Sequence, residues 1–302
     1  MDPIYYIDRQ TGERCEEKVF WGGALGLLYG EGMRSRLLGT PLKHLLARCP
    51  WISRFCGCWQ SRACTAKQIG PFIQTYGIDP GEFMAPIEAF YSFNDFFIRK
   101  LKPSARPIAA EEKTAIIPAD GRFFFFQDIG QDTSFIVKGQ QFDLPKFLQS
   151  EALAKQYAGG SMVLARLCPT DYHRFHFPVS GIPEATHPLP GALYSVNPWA
   201  IRKQLEILWT NKRVYCQMAS DHFGKVLLAE IGATTVGTIQ QTYQPEKTYR
   251  KGDEKGYFTF GGSALAILFP RDTIRFDPDL IQASKQGIEI LCLMGQSMGT
   301  QV

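Results

Sequence analysis

Hydrophobic and polar positions change period near residue 80. Before it, apolar residues fall largely at helical spacing, among them Leu37, Leu38, Leu42, Leu45, Leu46, Trp51, Ile52, Phe55 and Trp59, and turns such as "GIDPGEF" (77–83) punctuate them. Next, "YSFNDFFIRKLKP" reads as a helix: Ser92 can cap it, Asp95 follows three residues later, and Pro103 stops it. Beyond Pro107, strand-like runs dominate: "RFFFFQDI", "SFIVKG", "SMVLARL", "KVLLAEIGA", "TTVGTIQQTY" and "ALAILF". Helical stretches interrupt them near 144–157 and 198–208. The pattern predicts an α+β chain: a helical N-terminal segment (1–80), then a mainly antiparallel β domain (81–302).

Composition narrows the class and charge adds a surface. With 302 residues, 45% of them hydrophobic, the chain can bury a full core. Its first residues, "MDPIYYIDRQTGERCEE", lack the apolar run of a secretory signal, which favours a cytoplasmic protein with reduced thiols. The eight cysteines fit neither a zinc site nor a disulfide framework, so no metal is expected. Between Gly32 and Ile78 stand Arg34, Arg36, Lys43, Arg48, Arg54, Arg62 and Lys67 with no Asp or Glu, while the whole chain carries only +4. A basic, Trp-containing amphipathic segment suits an anionic membrane surface. Nucleic acid, the rival partner, ranks lower because aliphatic residues outnumber stacking platforms. The uncharged run "VFWGGALGLLYG" (19–30) is too short to span a bilayer, which takes about 20 residues.

Three stretches of the β part carry polar residues suited to chemistry. "PADGR" (118–122) holds Asp120, ordinarily a turn residue. "CPTDYHRFHFP" (168–178) holds His173 and His176, and a turn through the first brings both imidazoles toward one pocket. "GYFTFGGSALAILF" (256–269) interrupts an apolar strand with Gly261 and Gly262, then places Ser263. Paired glycines mark a bulge or a close backbone approach. Asp, His and Ser in that order make a candidate triad, but the surroundings of Ser263 are not the G-x-S-x-G elbow of α/β hydrolases.

Taken together, these stretches resemble the phosphatidylserine decarboxylase family, in the form found in chlamydia-type bacteria. The resemblance rests on "FNDFFIRKLKPSARPI" (93–108), "PADGR", "YHRFHFPVSG" (172–181), "GALYSVNP" (191–198) and "EKGYFTFGGSA" (254–264), and covers roughly 70–300. It implies that Ser263 attacks the Gly262 carbonyl, with His176 as base oriented by Asp120. The chain would then separate into a β chain (1–262) and an α chain (263–302) capped by a pyruvoyl group made from Ser263. That covalent pyruvate would form a Schiff base with phosphatidylserine, and loss of CO2 would give phosphatidylethanolamine, His173 returning the proton to Cα. The implied protein is a heterodimer of its own two chains, with further assembly open, on the cytoplasmic side of the cell membrane.

One position departs from the family pattern. Ala264 stands where the usual motif has threonine, and the missing hydroxyl is expected to slow maturation if it polarises the scissile carbonyl. Two other readings remain: a triad hydrolase that never cuts itself, and an unprocessed membrane-binding protein.

Overall fold

The computed structural model describes residues 3–17, 28, 39–130, 134–137, 139–234 and 238–302. Arg34, Arg36, Leu37, Leu38 and all of the 19–30 run except Leu28 lie outside them, as do the side chains of Ile52 and Arg54 and residues 235–237 of the "TTVGTIQQTY" run.

The architecture is α+β and mostly antiparallel. Among the described residues the largest sheet has ten strands, in the order His187–Leu189, Arg213–Ser220, Gly224–Gly232, Ser263–Phe269, Ser161–Leu167, Gly121–Phe126, Glu289–Cys292, Tyr5–Asp8 and Arg14–Glu16, with Ile182–Pro183 beside Arg213–Ser220. Every pairing is antiparallel except that of Tyr5–Asp8 with Glu289–Cys292. A three-stranded sheet joins Ile239–Gln241, Glu254–Phe258 and Arg174–His176. Another joins Ile274–Phe276, Ser297–Gln301 and Thr114–Ile116.

The helical reading of the first 80 residues holds for Thr40–Arg48, Pro50–Gln60 and Ile69–Tyr76 but fails at the N-terminus. Tyr5–Asp8 and Arg14–Glu16 are strands of the large sheet. The partner of Tyr5–Asp8, Glu289–Cys292, lies nearly three hundred residues away, and pairing with it outweighs local spacing. Arg9 secures this hairpin by ion pairs to Asp277 at 2.8 Å and Asp279 at 2.7 Å.

Side chains of a strand alternate between faces, so the central strands feed two cores. Phe123, Phe125, Val163, Ala165, Leu265 and Ile267 pack on one face with Phe175, Phe177 and Phe258. Phe124, Leu164, Ala264, Ala266 and Leu268 pack on the other with Phe142, Phe147, Ile207 and Leu208. A third cluster spans the expected boundary at residue 80, joining Ile69, Phe72 and Ile73 to Phe83, Phe93, Phe96, Phe97 and, from far along the chain, Phe260.

Candidate active site

The connection 259–262 between strands Glu254–Phe258 and Ser263–Phe269 carries the Gly-Gly-Ser sequence, and the "FNDFF" helix fixes it in place. That helix, Phe93–Phe97, begins as expected: Ser92 Oγ accepts from the Asp95 N–H at 3.1 Å, and Asp95 accepts from the Tyr91 N–H at 3.0 Å. It ends at Phe97, well before Pro103. Asn94 Oδ1 accepts from the Phe260 N–H at 2.9 Å, and the Phe260 ring packs edge-on against Phe93 and Phe97. Gly261 has φ 137°, a region that favours glycine. The Gly262 Cα faces no crowding, since a Cβ there would only touch Val196 at 3.7 Å.

Ser263 opens the central strand, paired with Gly232 on one side and Leu167 on the other. It is fully buried and its Oγ has no hydrogen-bond partner. A buried hydroxyl without a partner costs about 1–3 kcal/mol, so its retention points to a chemical role.

His173 is fully buried beside this connection. Its ring lies 3.9 Å from that of Phe97, its Nδ1 is 3.0 Å from the Asp171 carbonyl, and its own carbonyl accepts from the Phe258 N–H at 3.0 Å. A carbonyl at Nδ1 sets the tautomer with the proton there; Nε2 has no partner in hydrogen-bonding geometry, although the Gly261 backbone comes close enough to raise the ring's affinity for a proton. Burial, assisted by the charge of Arg99, pushes the ring down to about 4 against the opposing pull of Asp171.

His176 ends the strand Arg174–His176. Its Nδ1 is 2.8 Å from the Gly252 carbonyl and its Nε2 3.3 Å from Tyr172 Oη. Burial lowers its pKa, opposed by the Gly252 carbonyl and by the charges of Glu254 and Asp120. The two imidazoles expected to share one pocket therefore have separate hydrogen-bond partners, although both are neutral at pH 7.

Asp120 is committed elsewhere than expected. Its carboxylate accepts from Arg106 Nη2 at 2.6 Å, from Arg106 Nε at 3.0 Å and from the Met294 N–H at 2.9 Å. Arg106 is gripped from its other side by Glu82 at 2.9 and 3.0 Å. Complete burial pushes the Asp120 carboxyl upward against the pull of Arg106. Asp120 thus reaches His176 through its field and not through a hydrogen bond. Arg106 stands inside a quoted motif without being singled out there, and Tyr172 only as a neighbour of the histidines; Glu82, the Gly252 carbonyl and the Met294 amide carry no sequence signal, because only folding brings them here.

Ala264, the residue after Ser263, stands where the family pattern has threonine. Its side chain joins the core formed with Ala266 and Leu268, on the opposite face of the sheet from Leu265, and by alternation from Ser263. Among the described residues no group of three or more His, Cys, Asp or Glu is placed to hold a metal, and all eight cysteines are free.

Residues 93–300 match the family model for phosphatidylserine decarboxylase. The chain belongs to that family. It is 45% identical to the phosphatidylserine decarboxylase proenzyme of Chlamydia pneumoniae, the match covering 99% of this chain and 98% of that one. The corresponding proenzyme of Chlamydia felis is 44% identical over the same shares. That of Chlamydia trachomatis serovar L2 is 41% identical over 98% of this chain and 97% of its own. The family match takes in the "FNDFF" helix, Asp120, both histidines and Ser263, and the proenzyme relatives extend over the N-terminal hairpin as well.

Proposed function

We propose that this chain is a self-processing decarboxylase that converts phosphatidylserine to phosphatidylethanolamine and CO2, and that the observation carrying this reading is Ser263 Oγ, buried without a partner directly after two glycines. Attack of Oγ on the Gly262 carbonyl converts the peptide to an ester; elimination then frees residues 1–262 as a carboxylate and leaves dehydroalanine at the head of 263–302, and water hydrolyses it with release of ammonia. The residues present suit the pyruvoyl group that this leaves at position 263: the hydroxyl is already desolvated, and a free imidazole nitrogen and a positive-φ glycine adjoin the scissile segment. That group supplies an electron-accepting carbonyl for a substrate amine.

His176 is the proposed base for maturation, under the field of Asp120. Burial keeps it neutral, and the Gly252 carbonyl holds its proton at Nδ1, so the Nε2 lone pair is available once Tyr172 turns away. Arg106 keeps Asp120 in place for this. His173 is the proposed proton carrier for decarboxylation. A neutral ring with free Nε2 can take the proton that the substrate ammonium must lose and return it to Cα after CO2 departs. The ring of Phe97 against it excludes water from that exchange.

Cleavage would leave the two chains assembled. The strand Ser263–Phe269 lies mid-sheet between Gly224–Gly232 and Ser161–Leu167, bonded to both, so the 40 residues of 263–302 stay held by residues before the cut. A peripheral membrane location is the matching proposal for where it works. No helix among the described residues is long and apolar enough to cross a membrane, and Trp51 and Phe55, 75% and 67% exposed, share one face of Pro50–Gln60.

Denaturing electrophoresis with mass spectrometry of the purified chain tests the reading. A fragment beginning at residue 263 and blocked by a pyruvoyl group is expected, absent from Ser263→Ala, with CO2 released from phosphatidylserine vesicles. One intact band after long incubation would refute it. His176→Ala is expected to lose cleavage, whereas His173→Ala is expected to mature but lose about 10²- to 10⁴-fold in turnover.

A further inference from the structure

Six arginines are buried among the described residues: Arg99, Arg106, Arg122, Arg166, Arg174 and Arg213. Four have carboxylate partners: Arg106 with Asp120 and Glu82, Arg122 with Asp171, Arg166 with Glu17 and Glu289, and Arg174 with Glu254. Arg213 has none, yet its guanidinium donates to the carbonyls of Phe147, Trp209, Asn211 and Lys146 at 2.6 to 3.0 Å, which satisfies it. Arg99 has neither solution. Its nearest acceptors are the carbonyls of Phe96, Thr170 and Asp171 at 3.4 to 3.5 Å, beyond the usual range, and its Nε has no partner. The rings of Phe83 and Phe96 stand 5.2 and 4.8 Å from its guanidinium carbon, a favourable but apolar surrounding.

A buried cation that no carboxylate touches, with only the charges of Asp120, Asp171 and Glu82 acting on it from a distance, is costly unless an anion arrives. The position of Arg99 says where that anion would come from. The Asp171 carbonyl that faces Arg99 Nη2 is also the acceptor of His173 Nδ1, so one backbone oxygen separates the guanidinium from the imidazole beside the scissile connection. Burial lowers the Arg99 pKa to about 10, which still leaves it charged at neutral pH.

We propose that Arg99 is the anion-recognising residue of this site and takes the phosphodiester of the lipid headgroup while the amine of that headgroup is presented at residue 263. The proposal rests on the decarboxylase reading above. Phosphatidylserine offers two anions, and the chemistry selects between them. A guanidinium on the carboxylate would stabilise the charge that must disappear as CO2 leaves, and so would raise the barrier. The phosphodiester keeps its charge from substrate to product, so a cation there binds substrate and transition state alike. Its removal therefore shows in KM and not in kcat.

The test compares wild type with Arg99→Gln and Arg99→Lys, using phosphatidylserine in detergent micelles as substrate and glycerophosphoethanolamine, which has a phosphodiester and no carboxylate, as competitor. Cleavage into two chains needs no lipid and reports that each variant folds. Arg99→Gln is expected to raise KM about 10- to 100-fold and to lose inhibition by the competitor, with Arg99→Lys intermediate. An unchanged KM, a fall confined to kcat, or undiminished inhibition of Arg99→Gln would overturn the proposal. The last result would assign Arg99 to the carboxylate, and a fall in kcat alone would assign it to positioning His173. If Arg99→Gln does not fold, the wild-type chain labelled with ¹⁵N-arginine decides: the Arg99 Nε–H resonance is expected to shift on adding glycerophosphoethanolamine, and no shift at saturating inhibition refutes the site. A wild-type chain that neither cleaves nor releases CO2 would defeat the decarboxylase reading instead, and the resonance would still report whether Arg99 binds the phosphodiester.

Discussion

Ser263 and Ala264, adjacent in the chain, stand on opposite faces of the ten-stranded sheet: the serine with the face of Leu265 and Ile267, the alanine among Ala266, Leu268 and Leu164. Alternation along the strand separates them as completely as distance would.

Ala264→Thr is therefore expected to leave the rate of self-cleavage unchanged within about twofold, because its hydroxyl enters the core on the face opposite the Ser263 side chain. Burying that hydroxyl should destabilise the fold by about 1–3 kcal/mol. A cleavage time course and a denaturation curve measure the two effects. Faster cleavage would mean that the threonine hydroxyl of the family pattern acts across the strand.

His173 predicts a pH dependence of stability. An unfolded histidine titrates at about 6.5, while burial holds the folded ring at about 4. Above pH 6.5 both states are neutral and the contribution is complete. Between 6.5 and 4 the unfolded chain takes up a proton that the folded chain refuses, so stability falls, by about 3 kcal/mol in all. Urea unfolding of the uncut Ser263→Ala chain across this window, with and without His173→Gln, should show the two curves converging as pH drops. Parallel curves would show that the ring is not held neutral by burial.

Glu230 and Lys255 form a fully buried ion pair at 2.8 Å, with Gln241 bonded to both at 2.7 and 3.0 Å. Lys255→Met should cost about 3–5 kcal/mol, because it strands the Glu230 charge. The double variant Glu230→Leu with Lys255→Met should recover most of that loss, since two apolar side chains need no partner. Unfolding free energies of the single and double variants provide the check.

Membrane contact is expected to have two separable components. Trp51→Ser with Phe55→Ser should weaken the part of vesicle binding that survives high salt, because burial of aromatic surface is not screened. Exchanging Arg34, Arg36, Lys43 and Arg48 for Gln should weaken the low-salt part, at about 1 kcal/mol per charge. Sedimentation with anionic liposomes at two salt concentrations distinguishes them, and wild-type binding by both variants would place docking on another surface.

The sequence alone determined the features that depend on local chemistry. Apolar strand-like runs became the central strands, Ser92 became the helix cap it resembles, and two glycines before a hydroxyl singled out Ser263, whose Oγ is buried without a partner. Tertiary structure decided whatever depends on partners far along the chain. The first strand pairs with Glu289–Cys292, Asp120 turns to Arg106 and away from a hydrogen bond with His176, and the "FNDFF" helix holds Phe260 from more than 160 residues away. It also decided which charges are satisfied. Arg99 and Arg213 look alike in sequence, but only packing surrounds one with four short carbonyl contacts and leaves the other with long ones and an unpartnered Nε, because hydrogen-bond satisfaction is a property of three-dimensional neighbours and not of spacing.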